Sequence, residues 1–437
     1  MRKISVFLTI LLVQMALTAQ KTVSRPNNDK VICNCGTASN YAPDPKNMNF
    51  YPTKYVRVNV HFIDAKDTTL NFSEETGREY ARMLIEGCNE RLEHNLKMNI
   101  PANNDLPALP INFRYVISPF NSDDPEDDGI YFHQDDYLCY YNKTHSSRDY
   151  SLFSDKQFET YKKCGDEVLN IFLLEHHPDS IASPTYKTSA DGVGKPHWVK
   201  IANSYHHYIN NANQNLAETV GSIARLMNHE IGHSLGLAHT WSMEDGCPDT
   251  PKNRNCWYID PADPGCDEWG EVSNNVMDYN AFQQAYTPCQ LAKINYNFYR
   301  EGAPQGKNLL NTWCSYKSDK KVIIEAGNEV DWCDIKYLEG DIIIEKDAFL
   351  TLHCKLSLPK GAQIYILPGG KLFLDNGSEI TNICGDEWTG VTLFHTKKQK
   401  AVFEKTANSD LTHFANETKE IFLEKRALRK MLKELIH

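Results

Sequence analysis

The sequence predicts a mixed α/β domain followed by a small all-β module. Over residues 54–316, strand-like segments alternate with helix-like segments, as is typical of α/β domains. From about residue 320, short apolar runs alternate with turns that contain glycine, as is typical of an all-β region. The chain has 437 residues, which is more than one hydrophobic core usually serves, so more than one domain is expected.

Several strands and one helix are predicted in the first part of the α/β domain. Apolar and polar residues alternate over 55–62, which predicts a half-buried strand. Residues 73–96 begin with a helix-start signal and continue with helix-forming residues, so a helix is predicted there. The continuous apolar run at 168–174 indicates a strand that is buried on both faces. The segments 109–117 and 198–204 are predicted to be further strands.

The clearest helix pattern in the chain covers residues 216–235. Its apolar residues recur with a period close to 3.6, as they do on a helix with one buried face. These residues are Leu216, Val220, Ile223, Ala224, Met227, Ile231 and Leu235. Residues 241–275 are rich in Gly, Pro, Asp and Cys and are predicted to form a loop.

The last part of the chain is predicted to contain a β-rich module over 317–395 and a charged tail over 396–437. The spacing of the strands is nearly even but shows no strict repeat, which leaves a solenoid and a sandwich as alternatives. An amphipathic helix is predicted at 417–436. The predicted strands lie at 320–324, 341–344, 349–352, 363–367 and 371–374.

The N-terminus predicts export from the cell. Residues 1–19 contain a short basic start and an apolar run, as in a cleaved signal peptide, and the run is too short to span a membrane. We expect no transmembrane span later in the chain, so the mature protein is predicted to be secreted. The 13 cysteines agree, since they favour an oxidising compartment. Residues 20–53 are polar and are predicted to be a loose leader or pro-segment.

The charge balance argues against one class of partner. The formal net charge is −11 and the pI is about 5.8. A nucleic-acid binder would normally carry a basic surface, so nucleic acid is not an expected partner. The sequence specifies no oligomeric state.

A group of residues suited to zinc lies on the helix predicted at 216–235. His229 and His233 are four residues apart and therefore stand on one helix face. Zinc binds neutral imidazole nitrogens, and a catalytic zinc usually takes three protein ligands and leaves one position for water. Gly236 allows the helix to end, so that the chain can turn and bring His239 to the same ion. Zn²⁺ is therefore the predicted cofactor.

Glu230 directly follows the first of these histidines, so its carboxylate can reach a water molecule on the ion. Such an ion lowers the pKa of the water and polarises a substrate carbonyl. Glu230 is then predicted to take a proton from the water and to pass one to the leaving amine. Single histidines are usually ordinary core or surface residues, but the joint occurrence of these positions indicates peptidase chemistry.

The string HEIGHSLGLAH at 229–239 resembles the extended zinc signature of the metzincin metallopeptidases. The family signature includes a Met-containing turn downstream, and residues 274–279 resemble it. The resemblance implies that Met277 forms a hydrophobic base beneath the histidines, although a gap-filling core methionine fits the same position. It also implies that Tyr279 is a candidate to hydrogen-bond the oxyanion, with an ordinary core or surface tyrosine as the alternative.

A finer resemblance is to the pappalysin (cytophagalysin) branch over roughly residues 35–300. The pair His239-Thr240, the segment CPDTP at 247–251 and the triplet MDY at 277–279 carry it. It implies a twisted mixed sheet above the cleft, an active-site helix and an irregular lower subdomain. The sequence departs from the branch in two ways: the segment between Tyr279 and Tyr286 is short, and Cys289 stands where many members carry glycine.

Cys35 is a weaker candidate site. The segment Cys35-Gly36-Thr37 resembles the latency motif of this branch. A thiolate is a good zinc ligand, so Cys35 would fill the open position of zinc until the leader is removed. The alternative is that Cys33 or Cys35 forms an ordinary disulfide.

Two further sets of residues follow the active-site helix. The first set consists of cysteines that are expected to staple the loop, and four cysteines allow three pairings. These cysteines are Cys247, Cys256, Cys266 and Cys289. The second set offers hard oxygen ligands for Ca²⁺, with solvated turn residues as the alternative reading. It consists of Asp245, Asp249 and Thr250.

The sequence thus predicts a secreted zinc endopeptidase that is made as a latent precursor and acts on proteins or peptides. The strand around 198–201 is expected to form the upper rim of the cleft and to pair with an extended substrate. One alternative is a surface adhesion protein whose β-rich module is the working part. Another is a zinc hydrolase that acts on non-peptide amides, because the ion and the base would be the same.

Overall fold

The computed structural model describes residues 37–436, except for the gaps 68–69, 120–122, 137, 142–157, 178–181, 183–191, 212–214, 242–243 and 258–271. The predicted signal peptide, most of the predicted leader and Cys35 lie outside the described residues. In the part of the chain that is described, no helix combines the length and the apolar character needed to cross a membrane.

The first part of the chain contains eight described strands, six of which form one mixed sheet. The strands are β1 (Lys54–Asp64), β2 (Phe113–Ile117), β3 (Ile130–Gln134), β4 (Tyr140–Tyr141), β5 (Leu169–Leu173), β6 (Glu175–His176), β7 (Gly192–Lys195) and β8 (Trp198–Ile201). Strands β4 and β6 pair separately. The main sheet has six strands in the order β2-β1-β5-β8-β7, with β3 paired to the second half of β1. All pairings in it are parallel except the one between β7 and β8.

The alternation in β1 explains how this sheet packs. Val56, Val58, Val60 and Phe62 are all buried and point into the larger hydrophobic core, because alternate residues of a strand face the same side. The predicted strand at 168–174 is observed as β5, and every residue of it is buried as expected. The prediction of a mixed α/β domain is confirmed.

Helices cover the core side of the sheet. They are α1 (Glu74–Glu93), α2 (Ser204–Asn211), α3 (Leu216–Thr219), α4 (Gly221–Ser234) and α5 (Pro288–Tyr299). The helix predicted at 216–235 is therefore interrupted at Val220, which is the N-cap of α4 and is followed by a glycine, a poor helix former. The strand predicted at 198–204 ends at Ile201, and Ser204 already begins α2.

The second part of the chain is a three-sided parallel solenoid. Its strands are β9 (Val322–Ile324), β10 (Glu329–Trp332), β11 (Lys336–Tyr337), β12 (Ile342–Ile344), β13 (Phe349–Leu352), β14 (Lys355–Ser357), β15 (Gln363–Ile366), β16 (Lys371–Leu374), β17 (Glu379–Thr381), β18 (Gly390–His395), β19 (Val402–Lys405), β20 (Asp410–Leu411) and β21 (Lys419–Phe422). Each strand pairs in parallel with the third strand after it, so every third strand stacks into one of three sheets. The solenoid is thus the correct alternative, and the sandwich is wrong.

The solenoid extends further than the sequence predicted. Strands β19 to β21 lie after residue 395, so the predicted boundary at 395 falls inside the solenoid. The C-terminal helix α6 (Lys425–Ile436) is shorter than the predicted 417–436, because 419–422 forms β21. Residues Met431, Leu432 and Leu435 of α6 pack on the apolar outer face of one solenoid sheet.

Residues 37–53 connect the two parts and are not a loose leader. Tyr41 is buried against Tyr296 and Tyr299 of α5, and its hydroxyl accepts a hydrogen bond from the amide of Ile335 at 3.2 Å. Phe50 is buried in the solenoid core. The sequence prediction was wrong here because these aromatic residues are separated by polar residues and bury themselves only against distant parts of the chain.

Lys54 lies fully buried where the two parts meet. Its Nζ donates to the carbonyl of Tyr337 at 3.3 Å and lies 4.9 Å from the ring centre of Trp313. Burial lowers the pKa of Lys54 to about 7. A disulfide between Cys314 and Cys384 joins the start of the solenoid to a later turn of it.

Candidate metal and catalytic centre

Three histidines converge at the end of α4. His229 and His233 stand one turn apart on this helix, as their spacing predicted. The helix ends just before Gly236, which has a φ of +99°, a left-handed conformation that glycine adopts without strain. The chain reverses at this residue and brings His239 back to the other two imidazoles. The Nε2 of His239 lies 3.2 Å from that of His229 and 3.0 Å from that of His233.

The hydrogen bonds of these rings fix which nitrogen is free. The Nδ1 of His229 donates to the carbonyl of Val276 at 2.6 Å, and the Nδ1 of His233 donates to the carbonyl of Leu237 at 2.9 Å. The Nε2 atoms of these neutral rings therefore present lone pairs to a common centre. Burial lowers the pKa of His229 well below its usual value and that of His239 to about 4, so the rings stay neutral.

This geometry fits a zinc ion. Two nitrogen ligands at 2.0–2.1 Å from a tetrahedral ion are about 3.3–3.4 Å apart, close to the distances between the Nε2 atoms. Three lone pairs this close would repel each other without a cation between them. His229, His233 and His239 form one of the groups in the described residues whose ligand atoms could hold a metal ion.

A turn after the loop lies beneath the histidines. Met277 is fully buried, and its sulfur packs directly against Gly232 on the helix face next to His229 and His233. The turn is held by Asn275, whose Oδ1 accepts a hydrogen bond from the amide of Met277 at 2.8 Å. Met277 thus packs on the active-site helix, and its role as a hydrophobic base beneath the histidines stays a prediction.

The carboxylate of Glu230 lies on the other side of the histidines, against β7. The amide of Gly194 donates a hydrogen bond to it. Burial raises the pKa of Glu230 to about 8, and the Gly194 hydrogen bond acts in the opposite direction. A carboxyl group with a pKa near neutrality can both accept and release a proton at physiological pH.

Two glycines allow β7 to lie directly on α4. A Cβ atom on Gly192 would lie 2.7 Å from Cγ of Glu230, and one on Gly194 would lie 2.8 Å from the carbonyl carbon of Glu230 and 2.9 Å from Cβ of His233. Sequence analysis missed both residues. The signal was present, because glycines at alternate positions of a strand mark a close approach of another backbone.

The rim of the cleft is formed by β7 and not by the strand at 198–201. Strand β8 is paired on both sides, with β5 and with β7, so its backbone is not available to a substrate. Among the described strands, β7 pairs only with β8 and is the edge of the sheet next to Glu230. The prediction was wrong because β7 contains no apolar run. Nothing in the sequence therefore marks it as a strand that an antiparallel turn places outside β8.

Aromatic rings border the open side of the centre. The ring centre of Tyr279 lies 4.7 Å from that of His239 and 5.6 Å from that of His229. Burial and the nearby charge of Glu230 raise the pKa of Tyr279, so its hydroxyl stays protonated and can donate a hydrogen bond. Sequence analysis did not single out Trp241. Its ring stacks on that of His239, with 5.5 Å between the ring centres, and its ring centre lies 5.3 Å from that of Tyr279.

The structure assigns the pairing of two of the four cysteines after the helix. A disulfide joins Cys247 to Cys289 and so ties the loop to the start of α5. Cys256 is also disulfide-bonded, and Cys266 lies outside the described residues. The sequence allowed three pairings, and only the path of the loop decides between them.

The predicted calcium ligands are not supported as a site. Both carboxylate oxygens of Asp245 accept hydrogen bonds, from the amide of Cys247 at 2.9 Å and from the hydroxyl of Thr250 at 2.6 Å. Those of Asp249 accept from the hydroxyl of Thr287 at 2.8 Å and from the amide of Cys289 at 2.9 Å. These oxygens are occupied by hydrogen bonds that hold the loop and the first turn of α5.

A metal-binding group of three histidines on a helix and its following turn, beside a buried glutamate, defines a metallopeptidase site of the metzincin class. Residues 198–298 match the family model Peptidase_M43, which is described as pregnancy-associated plasma protein-A. The candidate centre thus lies within a segment, about a quarter of the chain, that is similar to the pappalysin metallopeptidases, as the sequence resemblance implied. A comparison with curated proteins found no match.

Solved structures that are similar to this chain include mirolysin. Mature mirolysin of Tannerella forsythia in complex with a cleaved peptide is 18% identical, with a TM-score of 0.39, and the match covers 59% of this chain and 96% of that one. A promirolysin variant of the same organism is 17% identical, with a TM-score of 0.38, and the match covers 60% of this chain and 86% of that one.

Proposed function

We propose that this chain is a secreted zinc-dependent endopeptidase with Glu230 as its general base, made as a latent precursor. The observation that carries the proposal is the convergence of three imidazoles beside a buried carboxyl group, with the Nε2 of His239 3.2 Å from that of His229 and 3.0 Å from that of His233. His229, His233 and His239 would hold the ion. Zinc, when bound there, supplies a Lewis acid that lowers the pKa of water and polarises the scissile carbonyl.

The residues around the ion provide the other steps. Among the described strands, β7 is the edge of the main sheet next to Glu230, so an extended peptide would add to the sheet at this edge. Glu230 accepts a proton from the attacking water and passes it to the leaving amine. Tyr279 donates its hydroxyl hydrogen to the oxyanion that develops on the substrate.

The test is hydrolysis of casein by the purified mature protein. We expect internal cleavage that a chelator abolishes and that added zinc restores. Glu230→Gln should lower kcat by at least about 100-fold, because general base catalysis is typically worth 10²–10⁴. Glu244→Gln, at an exposed glutamate paired with Lys252, is the matched control and should leave the activity unchanged.

Metal analysis separates the roles of these residues. Glu230→Gln should retain one zinc per chain, whereas His233→Ala should lose it. A fully active Glu230→Gln protein would show that another group is the base. Wild-type protein that binds no stoichiometric metal would refute the zinc site.

Secretion and latency rest on the N-terminal residues. The disulfides Cys247–Cys289 and Cys314–Cys384 support folding in an oxidising compartment. Mass spectrometry of the exported protein should show loss of residues 1–19. If Cys35 is the latency ligand, Cys35→Ala should speed the activation of the precursor, while Cys33→Ala should not. Equal activation rates for both variants and the wild type would exclude the switch.

A further inference from the structure

The turn that brings His239 to the other two histidines begins where α4 ends. A helix leaves its last carbonyl groups without backbone partners, because no further helical turn follows to donate to them. Here the carbonyls of Gly232 and His233 accept hydrogen bonds from the amides of Leu237 and Gly236, at 3.0 and 2.9 Å. The carbonyls of the next two residues lie at the reversal itself and accept hydrogen bonds from side chains of a distant segment.

Two side-chain amides supply these hydrogen bonds. The Nε2 of Gln305 donates to the carbonyl of Ser234 at 2.8 Å, and the Nδ2 of Asn297 donates to the carbonyl of Leu235 at 2.9 Å. Asn297 lies in the last turn of α5, and Gln305 lies in the 3₁₀ turn Pro304–Asn308 that follows α5. The donors are therefore 62 and 71 residues away in sequence from the carbonyls that they bind.

Both amides lie directly against the reversal at Gly236. A Cβ atom on Gly236 would overlap Nδ2 of Asn297 and would lie 3.9 Å from Nε2 of Gln305. Gly236 has the left-handed φ of +99°, which sets the direction that the chain takes from α4 to His239. The two amides thus contact the point at which the position of His239 is decided.

The amide of Gln305 acts as a donor only. Gln305 is 5% exposed, and among the described residues its Oε1 is buried without a hydrogen-bond partner. The carbonyl of Ser234 can only accept, so it fixes which end of the amide faces the helix. A buried acceptor without a partner lowers stability, and an apolar side chain of similar length would avoid this cost. Packing alone therefore does not account for a glutamine at this position.

His239 depends on this turn more than the other two histidines do. His229 and His233 belong to α4, and the Nδ1 atom of each donates to a carbonyl. Within the described part of the chain, Nδ1 of His239 has no such partner, and its Nε2 faces the other two imidazoles. Metal-binding histidines are usually oriented through their second ring nitrogen, so the backbone of the turn has to orient His239.

We propose that Asn297 and Gln305 are positioning residues of the candidate metal centre, because their amides hold the turn at Gly236 and so keep Nε2 of His239 at the ion. This inference rests on the proposed zinc site and adds the residues that maintain it. If the turn held His239 in place only about a tenth of the time, the apparent affinity for zinc would fall about 10-fold. The affinity for zinc should therefore depend on two residues that do not touch the ion.

The test removes each donor and measures zinc binding by competition with a chromogenic chelator. Asn297→Leu and Gln305→Met delete the amide and roughly keep the size of the side chain. We expect each variant to bind zinc at least about 10-fold more weakly than the wild type, since losing a group that orients a metal ligand typically costs about 10- to 100-fold. The double variant should bind zinc more weakly than either single variant.

Asn295→Leu is the matched control. Asn295 is a buried amide on the same helix, but its Nδ2 donates to the carbonyl of Tyr41 and to Oδ1 of Asn112, each at 3.1 Å. The control should lower the Tm of the metal-free protein at least as much as the two test variants, yet keep the zinc affinity within about 2-fold. Equal losses of zinc affinity in the control and the test variants would reflect a general loss of stability and would overturn the inference.

Hydrogen exchange in the metal-free protein examines the turn itself. The backbone amides of residues 236–240 should exchange at least about 10-fold faster in both test variants than in the wild type and the control. Unchanged exchange would mean that the amides do not hold the turn, and faster exchange with wild-type zinc affinity would mean that the turn does not position His239. Either result overturns the inference. If Asn297→Leu does not fold, Asn297→Ala removes the same donor without overpacking.

These measurements separate this inference from the proposed function. A wild type that binds zinc but cleaves no casein, together with the expected losses in the variants, would refute the peptidase and leave the positioning roles in place. A wild type that cleaves casein, together with variants that keep the wild-type zinc affinity and exchange, would leave the peptidase and refute the positioning roles. A wild type that binds no zinc would overturn both.

Discussion

Replacing Gly194 with alanine tests how closely β7 lies on the active-site helix. The added Cβ would lie 2.8 Å from the carbonyl carbon of Glu230 and 2.9 Å from Cβ of His233, and it would overlap the carbonyl oxygen of Glu230. Carbon atoms in good contact are about 3.5–4.0 Å apart, so the strand must move away by about 1 Å. The obstacle is helix backbone, which cannot turn aside as a flexible side chain can.

Both activity and stability should fall. A displacement of about 1 Å at a catalytic centre can lower the rate about 100-fold, because Glu230 and the substrate strand no longer keep their relative positions. Overpacking typically costs about 1–3 kcal/mol, which corresponds to a fall in Tm of several degrees for a domain of this size. We expect kcat/KM on a quenched peptide to fall by about two orders of magnitude while the zinc content is unchanged.

Val193→Ala is the matched control, since Val193 lies on the same strand but points to the opposite side. It should destabilise the protein by a similar amount through lost burial but should keep most of the activity. The reasoning would be refuted if Gly194→Ala retained wild-type kcat/KM, or if Val193→Ala lost as much activity as Gly194→Ala. In either case the contact between β7 and α4 would not position the catalytic groups.

Three further predictions concern stability. Because burial lowers the pKa of Lys54 to about 7, the unfolded chain binds the extra proton between pH 7 and about 10, so the free energy of unfolding should rise with pH there by up to about 1.4 kcal/mol per unit. Lys54→Met should remove this rise in urea titrations, and an unchanged slope would contradict the assignment. Replacing Cys247 and Cys289 together by serine opens a bridge that spans 42 residues and should cost about 4 kcal/mol, read from the denaturation midpoint. Phe50→Ala should cost about 3–5 kcal/mol by the same measurement if residues 37–53 hold the solenoid core, and a cost below about 1 kcal/mol would show that they do not.

The chemistry of the centre could be predicted from the sequence because it depends on local spacing. His229 and His233 face one side of a helix wherever that helix lies, and Gly236 permits the reversal that brings His239 back. The turn at Met277 also has its own sequence pattern. In each of these cases a short segment determines its own geometry, and the structure brings these residues together.

The tertiary structure alone decided the surroundings of the centre. Which strand forms the rim depends on the order of β8 and β7 in the sheet, and the bond between Cys247 and Cys289 depends on the path of the loop. The packing of Tyr41 and the contact of Gln305 with the end of α4 likewise bring together residues that are far apart in sequence. The physical reason is that periodicity records which face of an element is buried, whereas only the packed chain determines what that face is buried against.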